Sequence, residues 1–280
     1  MSKHVPVILA ALLLGLVAFA GGCSKRPDSI VVTTTMLQEA AREVLGGLKE
    51  PEVVLLLPPG SCPGHFDLSP RSLPALRSAR AVIRHDYQGV LEQKMEQIGA
   101  KGIAVVSIPT PASLLVPGNY AALARRVAEI LCEKFPGQRD KIQGSLAKIQ
   151  ERAQALGLKV RERAARWKGV PVIASFNQKE FCEYLGLDVV GVIQRPEEVS
   201  PREFEELLGQ KAAAVIANLQ EGVQAAESLA KRKGVPVVVL SNFPDTEGYG
   251  TGYEGLMEAN LKRLEQVLRK TQPDEATNEK

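Results

Sequence analysis

Two histidines lie in loops that follow predicted β-strands, which is where parallel sheets usually bind ligands. His65 belongs to a proline-rich loop, residues 58–70, that also contains Cys62, while His85 and Asp86 follow the next strand. Imidazole and carboxylate groups suit zinc, manganese or iron, and a thiol favours softer metals. These residues predict a transition-metal site. A surface or hydrogen-bonding role is the alternative for each loop histidine.

The second half of the chain has a comparable set of polar residues after its predicted strands. Asp245 and Glu247 follow the last strand and offer carboxylates, although both would be ordinary solvated turn residues without a metal. The other members of the set are Phe176, Asn177, Gln178, Asn218, Gln220 and Asn242. The sequence contains no phosphate-binding glycine loop, His-Glu-x-x-His helix or Gly-x-Ser-x-Gly elbow. We therefore expect a binding protein and not an enzyme.

The elements that must position these residues alternate between β-branched runs and helical stretches. This order predicts an α/β fold with two lobes, each with a parallel sheet covered by helices. Facing lobes would place the carboxyl ends of their strands around one cleft. The predicted strands are residues 30–35, 53–57, 81–84, 103–107, 170–175, 189–193, 213–217 and 235–240.

One long helix is predicted between the two lobes. Its apolar positions repeat at steps of four and three, which places them on a single face of a helix. They are Ile142, Leu146, Ile149, Ala153, Leu156 and Val160. We therefore divide the mature chain into an N-terminal lobe (29–135), a linking backbone helix (136–167), a C-terminal lobe (168–271) and a polar tail (272–280). From its length we expect each lobe to bury its own core.

The N-terminal segment has the pattern of an export signal. Lys3 precedes an apolar run from Val5 to Ala20, and small residues lead directly to Cys23. The run is shorter than the roughly 20 residues of a spanning helix, so a transmembrane anchor is the weaker interpretation. We interpret residues 1–22 as a lipoprotein signal peptide, Cys23 as the lipidated residue and 23–28 as a tether. The alternative is an ordinary signal peptide with an incidental cysteine.

The charge balance and the low aromatic content of the chain argue against a nucleic-acid partner. The 35 Lys and Arg residues against 32 Asp and Glu leave a net charge of +3, and aromatic residues make up only 5%. Neither a basic face nor a base-stacking platform is indicated, so we expect no nucleic-acid partner.

Beyond Cys23, three cysteines remain, at positions 62, 132 and 182. At least one of them is unpaired within the chain.

The combination of motifs resembles the TroA-like family of zinc- and manganese-binding lipoproteins of bacterial ABC transporters. The similarity covers essentially the whole mature chain, and its specificity comes from the order and spacing of motifs that are individually weak. They are the Ala20–Cys23 lipobox, the strand 30–35, the loop 58–70, the long central helix, the segment Pro196–Pro201 and Asn242–Pro244.

The resemblance implies a site of three histidines and one carboxylate contributed by both lobes, and this chain retains only part of it. His65 matches the first histidine, and Asp245 matches the carboxylate, with Glu247 as a nearby substitute. Ala112 takes the place of the second histidine, and Phe176 and Asn177 stand at the third. His85, with Cys62 or Asp86, is our candidate replacement for the missing imidazoles.

The resemblance also implies the function. We expect an exported monomer, lipid-anchored to the cell membrane and facing the periplasm or cell exterior, that captures Zn or Mn between its lobes. It would deliver the metal to an ABC permease and its ATPase. The alternative is a degenerate-site lipoprotein that acts as an adhesin or partner-binding protein, or binds a non-metal ligand.

Overall fold

The computed structural model describes residues 28–110, 112–195 and 200–268. The first lobe contains a four-stranded parallel sheet in the order β2-β1-β3-β4. Its strands are β1 (Ser29–Val32), β2 (Glu52–Leu55), β3 (Ala79–His85) and β4 (Val105–Ile108).

The second lobe repeats this arrangement. Its parallel sheet has the order β6-β5-β7-β8, so the two sheets have equivalent topologies. The strands are β5 (Pro171–Ser175), β6 (Asp188–Ile193), β7 (Ala214–Asn218) and β8 (Val237–Leu240). The predicted two-lobed α/β fold with parallel sheets is confirmed.

Helices connect the strands and cover both sheets. In chain order they are α1 (Thr35–Leu45), α2 (Leu73–Ser78), α3 (Leu91–Gln97), α4 (Pro117–Lys134), α5 (Arg139–Ala164), α6 (Lys179–Tyr184), α7 (Pro201–Gly209), α8 (Gln224–Lys233) and α9 (Gly252–Leu268). None of the helices in the described ranges is both long and apolar enough to cross a membrane. The apolar run from Val5 to Ala20 lies outside those ranges.

The predicted backbone helix is α5, which has single 3-10 turns at both ends, Pro136–Gln138 and Ala165–Trp167. Its apolar stripe is buried and packs on α4 and α1. Leu156, which we predicted on the stripe, is only half-buried, and Gly157 takes the inner position. Leu156 still packs against the shared core, and at Gly157 the Tyr184 side chain approaches closely, its hydroxyl donating to the Gly157 carbonyl at 3.2 Å.

One apolar core extends through both lobes, contrary to our expectation of two separate cores. Ile30 and Val32 of β1 belong to the same buried cluster as Val172 and Ala174 of β5. Helices α1, α4, α5 and α9 fill the space between them. Because side chains alternate along a strand, Val31 points to the opposite face, where each lobe has a smaller outer cluster of its own.

Polar contacts also tie the lobes together. The rings of Tyr120 on α4 and Tyr253 on α9 are stacked with centroids 3.8 Å apart. The Tyr253 hydroxyl donates to the Leu115 carbonyl at 3.2 Å, and Glu180 of α6 accepts from the Ser113 amide at 2.5 Å. These contacts hold the strand ends of one lobe at a fixed position relative to those of the other.

Candidate metal-binding cleft

The loops after β2 and β8 meet between the lobes. A small open groove there is lined by Thr33–Thr35, Leu57–Ser61, Pro63 and, from the second lobe, Phe243. A Cβ added to Gly60 would lie 3.7 Å from the Thr246 methyl group, so the two loops are in near contact. The groove thus joins the loop of His65 to the loop of Asp245.

His65 and Cys62 lie side by side in this groove region. The His65 amide donates to the Cys62 carbonyl at 3.2 Å, which closes a β-turn with Pro63 and Gly64 at its centre. Across the turn, the Cys62 sulfur lies 3.7 Å from His65 Nδ1. His65 is exposed and Cys62 is half-buried, so both side chains reach solvent beside the groove.

Gln88 attaches this turn to the first sheet. Its amide nitrogen donates to the Pro63 carbonyl at 3.1 Å. Its amide oxygen accepts from the Thr33 hydroxyl at 2.6 Å and from the His85 amide at 3.1 Å. Gln88 is fully buried, and we did not predict a role for it from the sequence.

The structure places His85 inside the wall of the cleft. The ring is fully buried, and burial lowers its pKa to about 4. Its Nε2 lies 3.0 Å from the Thr34 hydroxyl and its Nδ1 lies 2.8 Å from the Thr110 hydroxyl. The ring is therefore neutral at pH 7, but a metal could reach a nitrogen only after one hydroxyl moves away.

Asp86 and Tyr87 lie at the surface beside His85. Asp86 Oδ1 accepts from the Tyr87 amide at 3.0 Å and from the Thr110 amide at 3.2 Å. The Tyr87 ring stacks on the His85 imidazole, with centroids 5.1 Å apart and planes 7° from parallel. Asp86 thus organises the loops around His85.

Asp245 occupies a special backbone position in the second lobe. Its φ is 61°, a left-handed conformation that Asp tolerates better than most residues. Its Oδ1 accepts from the Gly252 amide at 3.2 Å, at the start of α9. The carboxylate is half-buried, whereas Glu247 is exposed.

Glu39 on α1 lies close to two other carboxyl groups, those of Glu43 and Asp245. Burial raises the pKa of Glu39 on α1, and neighbouring Glu43 and Asp245 raise it further. The Tyr253 amide and Arg42 act in the opposite sense and lower this pKa, and Glu43 is already ion-paired with Arg152.

At the strand ends of the second lobe, asparagine and glutamine side chains are linked by hydrogen bonds to one another and to neighbouring polar side chains. The Asn177 side-chain amide donates to the Glu221 carboxylate, and Gln178 Nε2 donates to the side-chain oxygen Oδ1 of Asn242 at 2.8 Å. The Gln220 amide nitrogen donates to the Ser241 hydroxyl at 2.9 Å. Phe176 is 45% exposed, and the Arg195 guanidinium lies 5.4 Å from its ring centre.

Only some of the residues that we predicted for the metal site therefore lie in contact with one another. Within the described ranges, no group of three or more His, Cys, Asp or Glu side chains is arranged to hold a metal ion. Cys62 and His65 are in contact, whereas His85 is hydrogen-bonded inside the wall. No disulfide joins cysteines 62, 132 and 182. Cys23 lies outside the described residues.

Comparison with known families decides the relationship. Residues 30–267 match the family ZnuA, described as zinc-uptake complex component A, periplasmic. The chain belongs to the ZnuA family. The predicted resemblance to the metal-binding proteins of ABC transporters is confirmed at the level of the family. ZnuA-family members are periplasmic substrate-binding components of metal uptake complexes, not enzymes.

Solved structures with the same fold include other metal-binding proteins. A periplasmic metal binding protein from Candidatus Liberibacter asiaticus is 12% identical with a TM-score of 0.73, covering 86% of this chain and 99% of that one. A structure of ZnuA is 19% identical with a TM-score of 0.68, and the match covers 84% of this chain and 97% of that one. The laminin binding protein of Streptococcus agalactiae, described as having adhesin and metal transporting activity, is 19% identical with a TM-score of 0.71, over 86% and 99%. A search of curated protein sequences gave no significant match.

Proposed function

We propose that this chain is the solute-binding lipoprotein of a zinc/manganese-type ABC importer. It captures a divalent transition metal between its lobes and delivers it to the permease, which an ATPase drives. Membership of the ZnuA family over residues 30–267 supports this role. We further propose that the protein acts as a monomer held to the membrane through Cys23, facing the periplasm or cell exterior.

The observation that carries the metal proposal is the meeting of the two loops that bear His65 and Asp245. They come from opposite lobes and approach each other at Gly60 and Thr246. One presents an exposed imidazole, and the other a half-buried carboxylate. An imidazole and a carboxylate are ordinary ligands of zinc and manganese.

His85 is proposed as a weaker contributor. To bind a metal, its ring must give up a hydrogen bond to Thr34 or Thr110. Asp86, Asn177 and Glu247 are proposed only as additional ligands that could complete the coordination shell together with water. With fewer imidazoles than the family's usual set, the site should bind more weakly.

Metal titration of the purified, chelator-treated protein tests this proposal. Native mass spectrometry would count bound zinc or manganese ions, and calorimetry would give the affinities. We expect His65→Ala and Asp245→Asn each to weaken binding at least ~10-fold, since loss of even an outer-shell partner costs 10–100-fold. We expect His85→Ala to cost less.

Asp67→Asn is the matched control, because Asp67 is a fully exposed carboxylate in the same loop as His65 and pairs with Lys94. It should leave metal binding unchanged. A wild-type protein that binds none of zinc, manganese, iron or cobalt would overturn the metal proposal.

One observation favours a second candidate, a protein that binds a partner or a non-metal ligand in the degenerate cleft. Tyr87 and Phe176 are both close to half exposed at strand ends of the two lobes, and Arg195 lies over Phe176. Exposed aromatic residues and arginine are enriched where proteins bind partners. Absence of metal binding, together with loss of partner binding in Phe176→Ser, would support this candidate.

A further inference from the structure

We propose that Cys62 is a ligand of the cargo metal beside His65, and that this thiolate makes the site selective for thiophilic divalent ions, zinc and cadmium, over manganese. This inference rests on the proposed function, because it assumes that the cleft binds a metal. It deepens that function by naming the class of metal.

The first support is the conformation of the segment Cys62-Pro63-Gly64-His65. The hydrogen bond from the His65 amide to the Cys62 carbonyl makes these four residues a β-turn. Proline at the second position suits such a turn because its φ is already fixed. A closed turn brings its first and fourth residues together, so the thiol and the imidazole are presented as a pair.

The second support is the separation of the two donor atoms. The Cys62 sulfur and His65 Nδ1 are 3.7 Å apart. In a tetrahedral zinc site, a Zn–S bond of ~2.3 Å and a Zn–N bond of ~2.05 Å place sulfur and nitrogen about 3.6 Å apart. The pair therefore already has the spacing of one edge of a zinc tetrahedron, and a metal could bridge the two atoms with little movement.

The third support is the anchoring of the turn. Pro63 is buried, and its carbonyl accepts from the buried Gln88 amide, which is itself bonded to Thr33 and to the His85 backbone. The turn is thereby fixed to the carboxyl ends of β1 and β3 in the first sheet. A ligand pair held in place loses less conformational entropy when a metal binds.

The chemistry of the donor atoms determines which metal the site prefers. A thiolate is a soft ligand that favours zinc and related metals, whereas manganese favours oxygen ligands. As the metal–sulfur bond forms, the Cys62 thiol releases its proton to solvent. The other two described cysteines do not compete, because both are buried and burial raises the pKa of Cys182 to about 12.

The test compares the wild-type protein with Cys62→Ser under reducing conditions. Zinc, cadmium and manganese are titrated into each protein by calorimetry, and cobalt(II) is added as a spectroscopic probe of sulfur coordination. Asp67→Asn is again the matched control, because it changes a fully exposed side chain in the same loop. Alkylation of Cys62, followed by peptide mass spectrometry, reports whether each metal protects the thiol.

We expect the wild type to prefer zinc and cadmium to manganese, and its cobalt complex to show a thiolate charge-transfer band. Cys62→Ser should lose this band and bind zinc at least ~10-fold more weakly, with manganese binding little changed. Zinc, but not manganese, should slow alkylation of Cys62.

Two other results have different meanings. If the wild type binds metal but Cys62→Ser leaves the band, the zinc affinity and the metal preference unaltered, the inference about Cys62 is wrong and the proposed function stands. If the wild type binds none of the metals, the proposed function fails, and this inference fails with it.

Discussion

His85 illustrates how surroundings decide what a histidine can do. Its imidazole is buried between Thr34 and Thr110 and covered by Tyr87, and burial lowers its pKa to about 4. In the unfolded chain a histidine titrates near 6.5. Below that pH the unfolded state binds a proton that the folded state does not, so stability decreases as the pH falls from about 6.5 to about 4.

We therefore expect the chelator-treated protein to lose on the order of 2 kcal/mol of unfolding free energy through His85 between pH 7 and pH 4.5. His85→Gln should lower stability at pH 7 but remove this part of the pH dependence. Urea denaturation of both proteins at both pH values measures the difference. An identical pH dependence in the two proteins would contradict the structural role of His85.

Positions after predicted strands were enough to predict a candidate site region but not the surroundings of each side chain. His65, His85 and Asp245 were all located from their positions after predicted strands. The burial of His85 depends on Thr34 and Thr110, which are 51 and 25 positions away, so no local pattern indicates it. The contact of Cys62 with His65 is local, and the Pro63-Gly64 turn between them was the signal that could have predicted it.

At the scale of elements, α5 shows how one stripe of residues fixes a helix between neighbouring helices. Leu146 and Ile149 are buried in the shared core, whereas Lys148 lies on the exposed side of the same turn. The stripe faces α4 and α1. Loss of its apolar character would therefore disturb both helices.

Introducing a charge on this stripe should destabilise the protein strongly. We expect Leu146→Asp and Ile149→Asp each to cost about 3 kcal/mol or more, because an unpaired carboxylate is costly in an apolar environment. Lys148→Asp should change stability by less than about 1 kcal/mol, as exposed substitutions generally do. Thermal unfolding of the three variants makes the comparison, and equal effects would contradict the packing of α5.

Element types were predictable from periodicity, whereas some boundaries were not. We predicted a first strand as far as residue 35, but β1 ends at Val32. The Thr34 hydroxyl accepts the Leu37 amide at 3.3 Å and caps α1, which overrides the β-propensity of the threonine run. The short helix α2 was missed because six residues are too few for a periodic pattern.

For the whole molecule, attachment to the membrane depends on a residue outside the described ranges. We expect Cys23 to carry the lipid, and Cys23→Ala to abolish incorporation of labelled fatty acid and release the protein from the membrane fraction. Stable attachment needs more than one acyl chain, which the lipoprotein pathway, as the resemblance implies, attaches to a single cysteine. Cys62→Ala is a matched control and should keep the label. A wild-type chain that never incorporates fatty acid would rule out the lipobox.

The lobes themselves behave as parts of one body. Besides the stacked tyrosines, Asn119 of α4 in the first lobe donates to the carboxylate of Glu180 on α6 in the second lobe at 3.1 Å. Several such ties would have to break before the cleft could open widely. Cargo release should therefore involve small displacements of the loops after β2 and β8.

The core shared by both lobes also has a consequence for biogenesis. Helix α9 is the last element of the described chain, and its Tyr253, Leu256 and Leu264 complete the cluster that contains Ile30 and Val32 of β1. During synthesis the first lobe emerges long before this helix and has no finished apolar cover of its own. The nascent chain must therefore expose part of its inner face until almost all of it has been made, and a truncation that removes α9 would leave both lobes prone to aggregation.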